Sequence, residues 1–100
     1  MQRVQSYSFP EVVSFYFKNT SNGFTTKLLF ASTTKISEFI KNINEKSKIL
    51  FDIPQEKQIE IVESGEKGAN GEALNPNDET LLCDKYRNNY KYVSFYIRPV

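Results

Sequence analysis

One hundred residues, 39% of them apolar and 14% aromatic, suffice for one hydrophobic core but not two. Thirteen basic and twelve acidic side chains leave a net charge of +1, too even a balance to single out nucleic acid or anionic lipid as a partner. With no histidine and a single cysteine, Cys83, the chain has no internal disulfide, no cysteine zinc site, no imidazole metal ligand and no Ser/His or Cys/His nucleophile.

Residues 1 to 10 are mixed in character and end at Pro10, which reads as a loosely docked lead-in to a domain spanning 11–100. They lack the apolar stretch of a secretory signal, and no apolar run anywhere approaches the roughly 20 residues that cross a bilayer. The expectation is therefore an intracellular protein of the cytosol or nucleus. Val12 to Lys18 is dense in β-branched and aromatic residues and alternates, with Val13, Phe15 and Phe17 on one face and Ser14, Tyr16 and Lys18 on the other. A polar loop containing Asn22-Gly23 follows, and then a second alternating run, Phe24 to Ala31. Together they predict a β-hairpin.

The period then changes from 2 to 3.6. Ser32, Thr33 and Thr34 offer hydroxyl caps, and Ile36, Phe39, Ile40, Ile43, Ser47 and Leu50 form one stripe. This predicts an amphipathic helix of about three turns that ends before Pro54. Gln58 to Glu63 reads as a short third strand. Ser64 to Asp78, with Gly65, Gly68 and Gly71, reads as a loop with at most a very short strand near Leu74. Thr80 to Tyr86 suits a single helical turn, and Tyr90 to Arg98 a last strand. The fold class is α+β: a mixed sheet of four to five strands packed on one helix.

This order resembles the β-grasp, and within it the ubiquitin-like family, over residues 12 to 98. The resemblance rests on the ββ-helix-β order, on Pro54 before the Gln58–Val62 strand, and on Gly65 just beyond it. Leu74, Thr80-Leu81 leading to Tyr86, a polar turn and a final strand ending in Arg98 complete it. It implies that the final strand is central, parallel to the first and flanked by the third, and that Thr80 and Leu81 close the smaller end of the core. It also implies that one sheet face packs on the helix while the other meets partners. Members that are conjugated, and the related sulfur carriers, end in two glycines. Here the sequence reads Arg98-Pro99-Val100, a poor thread for an enzyme channel, because proline fixes φ and valine is branched.

The outward set is then Tyr16, Lys18, Lys27, Leu29, Glu60, Val62, Tyr92, Ser94, Tyr96 and Arg98. By the resemblance, Val62 and Tyr96 fall where ubiquitin keeps its apolar recognition patch, and Arg98 near its basic rim. Val62, Tyr96 and Tyr92 are the candidate anchors, with Arg98, Lys18 and Tyr16 beside them, since Tyr and Arg provide rigid area with a polar handle. Tyrosine is also an ordinary exposed strand residue, and lysines on a sheet discourage edge aggregation. Asn75, Asn77, Asp78 and Glu79 lack the ligand spacing of an EF-hand and read as a turn. The three glycines open no strong helix that could cradle a phosphate, and no cofactor motif is present. Cys83 has neither a histidine nor a basic neighbour nearer than Lys85 to activate it.

These readings favour binding over catalysis: a non-conjugated module that engages a protein partner through its exposed sheet face. That partner is either ubiquitin-pathway machinery, approached by mimicry, or a protein unrelated to it. The alternatives are a modifier or carrier whose C-terminus is processed, and a homo-oligomer-forming structural subunit.

Overall fold

The computed structural model describes residues 9–100. Strand β1 (Val12–Asn19) turns through Asn22-Gly23 into antiparallel β2 (Thr25–Ala31). Gly23 has a φ of 76°, a backbone region that glycine enters without a Cβ clash. Helix α1 (Ile36–Leu50) follows, then β3 (Ile59–Glu63), a 3-10 turn (Gly68–Asn70), the single-turn helix α2 (Leu82–Lys85) and β4 (Phe95–Pro99). The sheet order is β2-β1-β4-β3, with β4 parallel to β1 and antiparallel to β3. This is the arrangement that the resemblance implies. Residues 1–8 of the expected lead-in lie outside the described residues. Phe9 packs on Tyr90, with ring centroids 4.5 Å apart, and so docks the chain just before β1.

The core forms where the helix stripe meets the inner sheet face. Val13, Phe15 and Phe17 of β1, Phe95 and Ile97 of β4, and Ile61 of β3 are buried against Ile36, Phe39 and Ile43. Phe15, Phe17, Phe39 and Phe95 make mutual ring contacts with centroids 5.1–6.1 Å apart, a spacing that suits edge-to-face and offset packing. Phe51, Ile53, Ile59, Leu82 and Tyr86 extend the core beyond the residues that periodicity marks. Leu28, Phe30, Ile40 and Val93 stay only half-buried at its margin.

Several boundaries differ from the sequence reading. Helix α1 is longer than three turns, at 15 residues, because Pro54 stops it only after Phe51 has turned into the core. Its N-cap is Lys35, whose backbone N–H donates to the Glu38 carboxylate at 3.2 Å, rather than a hydroxyl residue before it. At the small end of the core Leu82 is the buried side chain, whereas Leu81 is half-buried and serves as the residue before α2. The sheet has four strands, since the stretch near Leu74 contributes only an isolated bridge from Ala73 to Val62. β4 begins five residues later than expected because Tyr92 and Val93 both donate their N–H groups to the Asn89 carbonyl, prolonging the turn.

Buried Asn19 locks the hairpin to the end of the helix. Its Nδ2 donates to the Phe51 carbonyl at 2.9 Å, and its Oδ1 accepts from the Ser21 N–H at 2.9 Å. Asn75, Asn77 and Asp78 build turns: Asn75 Oδ1 accepts from the Asn77 N–H and Asp78 Oδ1 from the Thr80 N–H, both at 2.9 Å. None of the helices among the described residues is long and apolar enough to cross a membrane.

Candidate protein-binding surface

The outer sheet face divides into two halves with different fates. Strand register places Thr25, Lys18, Tyr96 and Val62 in one row across it, with Lys27 beside Tyr16 and Leu29 beside Ser14 in the next two. Over the β3–β4 half runs a strap, residues 64–73. It is fixed at its start by the Ser64 N–H donating to the Ser94 carbonyl and the Ser94 N–H to Ser64 Oγ, at 2.8 and 3.0 Å. Just past its end, the Leu74 N–H donates to the Ile61 carbonyl at 2.8 Å.

This strap overturns the expected position of Val62. The side chain is fully buried rather than exposed, because Ala73 pairs with it and Gly71 lies directly on it. A Cβ at Gly71 would come within 3.3 Å of Val62 Cγ1, so a glycine is what lets the backbone approach so closely. Arg98 is likewise not a free rim residue. Its Nε and Nη2 donate to Glu60 Oε1 at 2.9 and 2.7 Å, and its Nη1 donates to the carbonyls of Ala69 and Gly71, both at 3.0 Å. The guanidinium thereby ties the strap to the sheet, and four of its hydrogen-bonding contacts are spent inside the molecule. Tyr96 is half-buried, with its hydroxyl 3.9 Å from where a Cβ would stand at Gly68. Tyr92 is exposed, as expected, but it lies in the turn before β4 and not on the sheet face.

The β1–β2 half is open. Tyr16 and Leu29 are 57% and 65% exposed and sit diagonally across the ladder. Lys18 and Lys27 flank them, and Lys27 Nζ stands 5.8 Å from the centroid of the Tyr16 ring, within cation–π range. Among the described residues neither lysine makes an ion pair. At the seam with β4, Tyr16, Lys18, Thr25, Ser94 and Tyr96 line a shallow depression of about 170 Å³. Of the six candidate residues the structure therefore groups Tyr16, Lys18 and Tyr96, seals Val62, engages Arg98 and sets Tyr92 apart. Leu29 and Lys27, which the sequence places on the outer face, belong with the first group.

The strap was poorly legible because its residues are polar and glycine-rich. The one available signal was the spacing of Gly65, Gly68 and Gly71 together with Ala73 and Leu74, a thin segment ending in two apolar residues.

Tyr86 supports the same region from beneath. It is buried, its hydroxyl donates to Glu63 Oε2 at 3.0 Å, and burial, with the Glu63 carboxylate next, pushes its phenol far above the ordinary tyrosine range. Cys83 is half-buried and has a free thiol.

No family model and no curated protein matches this chain. Among solved structures, the chain is similar to a protein designed de novo on the basis of ubiquitin, with a TM-score of 0.54. The two share 15% sequence identity, over 91% of this chain and 92% of that one. Identity at that level speaks for the fold alone: a small α+β architecture with a four-stranded mixed sheet on one main helix, resembling the ubiquitin-like fold.

Proposed function

We propose that this chain is a ubiquitin-like protein-recognition module whose working surface is the outer face of β1 and β2. One observation carries the reading: Tyr16 and Leu29 lie exposed and diagonal to one another, framed by Lys18 and Lys27, on the half of the sheet that the strap leaves open. Large apolar groups next to cations that lack a described ion pair suit a partner with an apolar contact bordered by carboxylates. Tyr96 supplies a further aromatic edge at the seam. A standard interface needs roughly 800 Å² per partner, which one face of a small domain can provide.

The sealed position of Val62 bears on partner choice. A protein that reads ubiquitin's apolar patch would meet the strap here, so a partner unrelated to such readers fits this surface better than ubiquitin-pathway machinery does.

Affinity capture with the wild-type chain, a Tyr16→Ala/Leu29→Asp variant and a Tyr92→Ala control tests the reading. Partners lost with the double variant and kept with the control are expected. Equal capture by all three overturns the β1–β2 face as the working surface.

A further inference from the structure

β2 is the outermost strand of the sheet, bonded on one side only, to β1. The phase of that ladder fixes which backbone groups stay free. Asn19 donates its N–H to the Phe24 carbonyl and Ser32 donates to Glu11, so the hydrogen-bonded pairs between these ends are Phe17 with Thr26, Phe15 with Leu28, and Val13 with Phe30. Thr25, Lys27, Leu29 and Ala31 then direct their N–H and C=O groups away from β1. Among the described residues the Ala31 carbonyl accepts from the Thr34 N–H, while no such turn or loop bond reaches the backbone of Thr25, Lys27 or Leu29. The strand carries no proline, and its ladder to β1 is continuous, without a bulge. Its inward residues Thr26, Leu28 and Phe30 are only half-buried. Lys27 is the one charged residue on this edge, a single guard against pairing, and the rest of it is a template for another strand.

We propose that two copies of this chain pair through their β2 edges, antiparallel about a two-fold axis at Leu28, to form one continuous sheet. The outward-directed groups restrict the register to pairs of residues 25, 27, 29 and 31, of which the Ala31 carbonyl already accepts one hydrogen bond, from the Thr34 N–H. Centring on Lys27 sets two like charges directly opposite, which is destabilising. Centring on Leu29 sends Thr25 past the end of the strand to Thr33. Centring on Leu28 pairs Lys27 with Leu29 and Thr25 with Ala31, each twice, and uses the whole strand. Leu28 then meets its own copy on the inner face, beside half-buried Phe30 of the same strand. On the outer face the Lys27 stem covers the exposed Leu29 of the second copy while the ammonium stays in water. Tyr16 and Lys18 stay uncovered on both outer faces, which join into one basic surface, while Leu29 is shared between the pairing and the outer-face reading. The pairing rests on the backbone edge and not on that reading, and Leu29→Pro tests it through the backbone N–H alone.

Sedimentation across a concentration series tests it. Wild-type mass is expected to rise from 11.6 kDa toward twice that value, and to do so at lower concentration as salt screens the lysines. Leu29→Pro removes only an outward N–H and keeps the ladder to β1, as prolines at strand edges do. It is expected to weaken pairing about tenfold or more, with an unchanged circular dichroism spectrum. Amide exchange in the unmodified chain gives a readout free of folding artefacts: protection of Lys27 and Leu29 should grow with concentration while that of Tyr16 stays constant. A wild-type chain that remains monomeric to millimolar concentration overturns the proposal. So does a dimer indifferent to Leu29→Pro, or one lacking that protection.

Discussion

Arg98 and Glu60 face each other across the β4–β3 register with Nη2 and Oε1 2.7 Å apart, and the same guanidinium reaches over to hold the strap carbonyls of Ala69 and Gly71. A pair that would be ordinary on an exposed sheet here fastens a lid over Val62. Which part of the outer sheet face stays exposed is set by this contact as much as by the residues of the open half.

Arg98→Ala should therefore loosen the strap and lower stability by about 1–2 kcal/mol, the scale of charge-assisted hydrogen bonds discounted for partial exposure. Arg98→Lys should recover little of it, because an ammonium lacks the fork that serves the Glu60 carboxylate and two carbonyls together. Urea denaturation measures both. Amide exchange at Leu74, whose N–H bonds to Ile61, should speed up in the alanine variant.

Val62→Asp and Tyr92→Ala separate a sealed position from an exposed one. The aspartate would place a carboxylate under Gly71 and Ala73 and cost about 3 kcal/mol or more. The alanine, at a residue 83% exposed in a turn, should stay within about 0.5 kcal/mol of wild type. Thermal or chemical unfolding distinguishes them directly.

Tyr86 gives an alkaline signature. Its phenol is held far above its ordinary value of 10.0, first by burial and then by the Glu63 carboxylate. A group whose folded pKa is raised contributes stability that is complete below its unfolded pKa and is lost as pH rises beyond it. Unfolding free energy should thus fall by about 1.4 kcal/mol per pH unit above roughly pH 10. Tyr86→Phe should remove that slope. Parallel unfolding titrations of the two proteins, with phenolate absorbance as the probe, provide the check.

Gly23→Ala should cost about 1–2 kcal/mol, because alanine is strained at a φ of 76° although its Cβ would meet no atom within 4 Å. Asn19→Ala should cost about 1–2 kcal/mol, since the buried Phe51 carbonyl loses its 2.9 Å donor and keeps only Asn22 Nδ2 at 3.3 Å. Equilibrium denaturation of each variant measures the two costs.

The alternation of Val13, Phe15 and Phe17 and the stripe of Ile36, Phe39 and Ile43 were enough to determine the hairpin, the helix and the faces they bury. Apolar periodicity is a local property, so a sequence carries it openly, and a sheet with one helix has few ways to satisfy it. Which outward residues remain outward was not a local matter. Val62 alternates correctly and still ends buried, because a segment beginning one residue after β3 folds back onto it. Arg98 reads as a free cation until Glu60 and the strap carbonyls are brought together from 38, 29 and 27 residues away. Leu28 and Phe30 share the pattern of the core but lie at the sheet margin, where the edge position of β2 leaves them half-covered. Period fixes which face a side chain takes. Tertiary structure decided what lies over that face, because a polar, glycine-rich strap gains its place from backbone hydrogen bonds and close approach rather than from a hydrophobic pattern.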